Sequence, residues 1–86
     1  MGFLSFLFGT KKWNADPVQQ ELAKLIIDVT EGRRRASELL SFVHRQGWSR
    51  TEQANRLTHA ASMVRVSRAD LYASANEVCR QIYVSL

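Results

Sequence analysis

Apolar side chains recur at intervals of three and four residues through the first half of the chain. They form a seam made of Val18, Leu22, Leu25, Val29, Gly32, Ala36, Leu39 and Val43. This spacing is typical of one helix face held across successive turns. Asp16 suits the N-cap, Pro17 the first helical position and Gly47 a left-handed C-cap. We therefore predict one helix over residues 17–46.

A second helical pattern begins directly after Gly47. Ser49 and Glu52 have the spacing of a capping box, in which each side chain bonds the other residue's backbone N–H. The apolar seam then consists of Ala54, Leu57, Ala61, Val64, Arg68, Leu71, Ala75, Val78 and Ile82, with Arg68 as its polar member. We predict a second helix over residues 50–84. Since no useful strand-period alternation occurs, the chain is predicted to be all-α.

The predicted architecture of residues 16–86 is a long antiparallel helical hairpin, similar to a coiled coil. The turn Gly47–Trp48 is short enough to make the two helices antiparallel neighbours. A lone hairpin buries a single seam, and below about 70–80 residues a single core seldom supplies enough stability alone. We therefore expect a homodimer forming a four-helix bundle, or a hairpin completed by another protein. The alternative is a compact three-helix monomer whose second helix is broken near Ser67.

The first fifteen residues form a separate apolar and basic segment, as an amphipathic helix or docking arm. The side chains predicted to dock on a partner or a membrane are Phe3, Leu4, Phe6, Leu7, Phe8, Lys11, Lys12 and Trp13. The apolar run is too short to span a bilayer, but lysine and tryptophan after it suit the water–lipid boundary. It is similar to short apolar N-termini followed by lysines on peripheral bacterial membrane proteins. The alternative is that these side chains complete the protein's own core or dimer interface.

The basic charge of the chain suggests two roles for its arginines, docking on an acidic partner or forming ion pairs at the surface. Twelve basic and eight acidic residues leave a net charge of +4, a mild excess. Arg33, Arg34 and Arg65 are the predicted polar docking residues for an acidic surface; the alternative is a set of surface ion pairs. Arg68 interrupts the seam. We expect it to reach Asp28 or Glu31, or to mark a kink.

Residues 61–72 resemble a helix-turn-helix core, which would imply a DNA-binding regulator using residues 54–78. In that reading Ala61 packs the two helices, and the residues directed at DNA are Arg65, Arg68, Tyr72 and Asn76. Two positions depart from the pattern. Arg65 stands where the turn usually has glycine, and Ser74 stands where the motif has an apolar residue. DNA binding is therefore kept as the alternative function.

The sequence offers little for catalysis. His44 and His59 do not converge in the predicted hairpin, Cys79 is a single thiol, and glycine-rich phosphate loops are absent. We predict no enzyme activity, no cofactor and no metal. The predicted function is a small protein-protein interaction module, an adaptor or inhibitor that binds a larger protein or itself, of bacterial or phage origin. It is expected in the cytoplasm, with membrane association at the inner face through the N-terminal segment.

Overall fold

A computed structural model describes residues 13–86 of the chain. The helices are α1 (Pro17–Thr30), α2 (Ala36–Arg45), α3 (Arg50–Ser67) and α4 (Tyr72–Ser85), with a 3-10 turn at Ala69–Leu71. Residues 13–86 contain no strand. The all-α prediction is therefore confirmed for the described part of the chain.

The signals for where helices begin and end are confirmed, except that the capping box predicted at Ser49 and Glu52 is only half formed, because the Glu52 carboxylate accepts from Arg56. The Oδ1 of Asp16 accepts a hydrogen bond from the N–H of Val18 at 2.9 Å, at the start of α1. The hydroxyl of Ser49 accepts from the N–H of Glu52 at 3.1 Å, at the start of α3. Gly47 follows α2 with a φ of +69°. These features depend on residues close in sequence, so the local pattern is sufficient to find them.

The single helix predicted over residues 17–46 is wrong, because the chain leaves the helix after Thr30. Gly32 has a φ of +79°, a conformation that glycine adopts at little cost. Its N–H donates to the carbonyl of Val29 at 3.0 Å, and the N–H of Arg33 donates to the carbonyl of Asp28 at 2.8 Å. This bond pair is a Schellman motif, which closes the C-terminus of a helix. Gly32 is thus a helix stop and not a seam position.

The second predicted helix, over residues 50–84, is also divided. α3 ends at Ser67, and Arg68 has a φ of −141° and a ψ of 70°. This confirms the break near Ser67 that belonged to the alternative fold. Nη2 of Arg68 donates to Glu31 Oε2 at 3.2 Å, and its guanidinium also bonds the Asp70 carboxylate. Arg68 therefore does both things expected of it: it reaches Glu31 and marks the interruption.

The directions of the helices differ from the predicted hairpin. Asp16 before α1 contacts Arg56 of α3, while Glu31 after α1 contacts Arg68 after α3, so α1 and α3 run in the same direction. The hairpin would have run them in opposite directions. Arg50 at the start of α3 instead contacts Tyr83 at the end of α4, so the antiparallel pair is α3 and α4. α1 packs against the other three helices.

One core is closed within the described chain. Leu22 and Ile26 of α1, Leu39 and Val43 of α2, and Val64 of α3 all have no exposed surface. Small buried residues let the helices approach closely: Ala60, Ala61 and Ala75. The core thus takes side chains from all the helices of a single copy. The homodimer remains a prediction.

Candidate functional site

Among the docking side chains predicted in the N-terminal segment, Trp13 is the one that the structure describes. It is half-buried, and its ring meets the His59 ring edge-on, with centroids 5.4 Å apart and an interplanar angle of 77°. The other predicted docking residues lie outside the described residues: Phe3, Leu4, Phe6, Leu7, Phe8, Lys11 and Lys12. The N-terminal segment therefore joins the helical body at the point where Trp13 contacts α3.

Arg56 is the centre of the contacts that hold this junction. Its guanidinium carbon lies 4.8 Å from the centroid of the Trp13 ring and 4.7 Å from that of the Trp48 ring. Its Nε donates to Glu52 Oε2 at 2.9 Å, and its Nη1 donates to Asp16 Oδ2 at 3.1 Å. The side chain is only 12% exposed. A desolvated cation that lies over two indole rings is stabilised by both of them, each by about 1–2 kcal/mol.

Gln19 ties the same point to the backbone of α3. Its side chain is completely buried, and its Nε2 donates to the carbonyl of Arg56 at 2.8 Å. Its Oε1 accepts from Arg56 Nη1 at 3.2 Å, so both ends of the amide have partners. We call the set around Arg56 the Arg56 cluster, made of Trp13, Asp16, Gln19, Trp48, Glu52, Arg56 and His59. It joins the segment before α1, the start of α1, the turn before α3 and α3 itself.

Electrostatics within the Arg56 cluster favour a charged Asp16. The hydrogen bond from Arg56 lowers the pKa of the Asp16 carboxyl, and the N–H of Val18 lowers it further. The Asp16 carboxylate therefore makes its full contribution to the free energy of unfolding above its ordinary pKa of 3.8. That contribution is lost as the pH falls through the lowered pKa. At neutral pH Asp16 is the anionic partner of Arg56.

His59 is held in its neutral form by its surroundings. Burial lowers the pKa of its imidazole, and the charge of Arg56 lowers it further. Its Nε2 lies 2.8 Å from Asn14 Oδ1, so we assign the Nε2–H tautomer, which donates to that oxygen. His59 thus contacts two consecutive residues of the junction, Trp13 and Asn14.

Acidification is expected to weaken the fold through His59. The unfolded chain binds this proton more readily than the folded chain, because folding lowers the pKa below its ordinary 6.5. The contribution of neutral His59 to the free energy of unfolding should be fully present above pH 6.5. It should be lost as the pH falls from 6.5 toward the lowered pKa. Urea unfolding followed across this range measures the slope. His59→Gln should flatten the curve, while His44→Gln, at an exposed position on α2, should leave it intact. Identical curves for the two variants would contradict the assignment.

The three predicted polar docking residues differ in the contacts they make. Arg33 pairs with Asp28 at 3.2 Å and also with Glu31, and Arg34 lies 3.3 Å from Glu38. The guanidinium carbon of Arg65 lies 5.5 Å from the Tyr72 ring centroid. Within residues 13–86, Arg65 forms no ion pair with a carboxylate. Arg33 and Arg34 are thus largely balanced by local acids, whereas Arg65 leaves a charge available at the surface.

The region that resembles a helix-turn-helix differs from that motif in its packing. In the motif the two helices cross at about 90–120°, but α3 and α4 run antiparallel, as the Arg50–Tyr83 contact shows. Val66, which lies inside the region that resembles the motif, is 89% exposed and is not packed between the two helices. Arg65 stacks on Tyr72, and Arg68 pairs with acids. DNA binding stays an untested alternative that these contacts do not favour.

A groove of about 240 Å³ lies between α3 and α4. Its lining includes Leu57, Cys79 and Tyr83, with Asn76 and Arg80 among the polar residues. Burial raises the pKa of the Cys79 thiol to about 12, so this thiol is protonated and a poor nucleophile at neutral pH. Across residues 13–86, no group of three or more His, Cys, Asp and Glu side chains is placed to hold a metal ion.

Comparison with family models, with curated proteins and with solved structures found no match. No residue role is therefore transferred to this chain from another protein. The Arg56 cluster, which carries the N-terminal segment, is the candidate functional site on the strength of its own contacts.

Proposed function

We propose that this protein is a non-enzymatic helical adaptor that binds a larger protein and is held at a membrane surface by its N-terminal segment. The observation that carries the proposal is the fixed position of Trp13 and Asn14 on α3. A flexible junction would only tether the folded body to a surface, whereas a rigid junction also fixes the orientation in which the body is held there. The Arg56 cluster supplies such a junction through rings, ion pairs and a buried amide.

Composition supports a membrane as the surface for residues 1–12. The segment contains three phenylalanines and two leucines, and burying each such side chain stabilises by about 2 kcal/mol. Lys11 and Lys12 follow, and cationic side chains near anionic lipid add about 1 kcal/mol each. None of the helices in residues 13–86 is long and apolar enough to cross a membrane. These features suit attachment of residues 1–12 in the plane of the membrane, at its cytoplasmic leaflet.

The helical body is the part proposed to meet a protein. Its core is already closed by its own helices, so a partner would contact the outer surface and would not complete the core. Arg65 is the polar docking residue whose charge is least balanced, while Arg33 and Arg34 already have acidic partners. A second copy of the chain is another protein that could contact this outer surface, and it would form the predicted homodimer.

Flotation with vesicles tests the membrane step. We expect the full chain to float with vesicles of phosphatidylglycerol and phosphatidylcholine in equal parts, and much less with phosphatidylcholine alone. The triple variant Phe3→Ser, Phe6→Ser and Phe8→Ser should lose flotation, because these changes remove the side chains proposed to enter the lipid. The matched control is Val84→Ser, which changes an exposed apolar residue on α4 and should float normally. Failure of the full chain to float with either vesicle would overturn the proposal.

A further inference from the structure

One face of α3 extends the surface on which Trp13 lies. Arg56 and His59 contact Trp13, and Met63 and Val66 follow them at intervals of three and four residues. Residues at this spacing lie on the same side of a helix. Met63 is half-buried, whereas Val66 is 89% exposed. Two apolar side chains, Met63 and Val66, therefore continue this face of α3 beyond the Trp13 contact toward the C-terminal end of the helix.

A face of α1 runs alongside this face of α3. Asn14 bridges the two helices: its Oδ1 accepts from His59 Nε2 at 2.8 Å, and its backbone carbonyl accepts from Gln20 Nε2 at 2.9 Å. Ala23 and Ile27 follow Gln20 at the same helical spacing. Because α1 and α3 run in the same direction, both faces lead away from Asn14 together. Ala23 is buried, so the accessible surface consists of the half-buried Ile27 and Met63 and the exposed Val66, and we call it the α1–α3 stripe.

We propose that the α1–α3 stripe is the intramolecular binding site of residues 1–12 when the protein is free in solution. The segment joins the body at Trp13 and Asn14, at one end of the stripe. Its phenylalanines and leucines match the apolar character of the stripe. Its length is also sufficient, since twelve residues reach about 18 Å as a helix, whereas the step from His59 to Val66 rises only about 10 Å.

The stripe and the membrane then compete for the same apolar side chains, a consequence that rests on the proposed function. In solution the phenylalanines are covered by the stripe, which limits the apolar area exposed to water. At an anionic vesicle they leave the stripe for lipid, while Trp13 stays on α3. Membrane attachment therefore exposes Val66 and its neighbours to a second contact, where a protein partner can bind.

Disulfide trapping tests the intramolecular site. In a Cys79→Ala background, Val66→Cys is combined in turn with Phe3→Cys, Phe6→Cys and Phe8→Cys, without vesicles. A disulfide needs Cβ atoms about 4 Å apart, so it reports close approach. We expect at least one pair to oxidise several-fold faster than the same cysteine paired with Val84→Cys. Val84 is the matched control, because it is a valine that is 75% exposed on α4.

The other outcomes overturn the inference. Disulfides that form between chains and increase with protein concentration would assign the stripe to a second copy. Equal rates with Val66→Cys and Val84→Cys would show that the segment does not occupy the stripe.

A second variant separates this inference from the membrane proposal. Val66→Asp places a charge in the stripe and should raise the vesicle-bound fraction several-fold, while Val84→Asp should not. An unchanged bound fraction for Val66→Asp would contradict competition between the two surfaces. If the full chain does not float but the disulfide forms, the membrane proposal fails and the intramolecular site stands.

Discussion

Leu22→Ala is expected to lower the free energy of unfolding by about 3 kcal/mol. Leu22 is on α1, the helix that packs against the other three, and its side chain has no exposed surface. Removing it leaves a cavity that fixed helices can only partly close. A domain of 86 residues has a total stability of about 4–13 kcal/mol, so this loss is a large part of it. Urea unfolding followed by circular dichroism measures the difference.

Leu40→Ala on α2 is the matched control for this substitution. Leu40 is half-buried at the edge of the core, so its truncation should cost less than half as much. Equal losses at the two positions would contradict the described packing of α1. The same experiment at several protein concentrations addresses the homodimer, because the midpoint of a monomer does not depend on concentration, whereas that of a homodimer rises with it.

Local features of the fold were accessible to sequence analysis, but helix continuity was not. The N-caps Asp16 and Ser49 were predictable because a capping side chain bonds a backbone group two or three residues away. Gly32 was misread because its position continues the apolar seam with a residue that has no side chain. Only the backbone bonds from Gly32 and Arg33 show that the helix stops there. A seam with correct spacing therefore does not establish an unbroken helix.

The Arg56 cluster could not be predicted because its contacts join distant parts of the chain. Arg56 lies four residues after Glu52, a spacing typical of an ordinary ion pair on an exposed helix face. Its bonds to Asp16 and Gln19 span 40 and 37 residues. The predicted hairpin placed the start of α1 far from this part of α3. Trp13 was recognised as a docking side chain, but its contact with α3 follows only from α1 and α3 running in the same direction.

Arg56→Ala should combine a stability loss of about 3 kcal/mol with release of Trp13 from α3. The change removes the cation that lies over both indole rings and leaves the Asp16 carboxylate without its ionic partner. It also removes a donor to the buried amide of Gln19. We expect the tryptophan fluorescence to shift to longer wavelength, because the rings of Trp13 and Trp48 become more exposed to water.

Arg56→Lys separates the charge of this residue from its shape. Lysine retains a cation beside Asp16 but lacks the planar guanidinium that stacks on two rings and donates in several directions. We expect it to recover part of the stability, with a fluorescence spectrum that remains shifted. Arg45→Ala, at an exposed position on α2, should change neither property. If Arg56→Lys restores both stability and fluorescence, charge alone holds the junction, and the contacts of the guanidinium with the Trp13 and Trp48 rings do not fix the N-terminal segment.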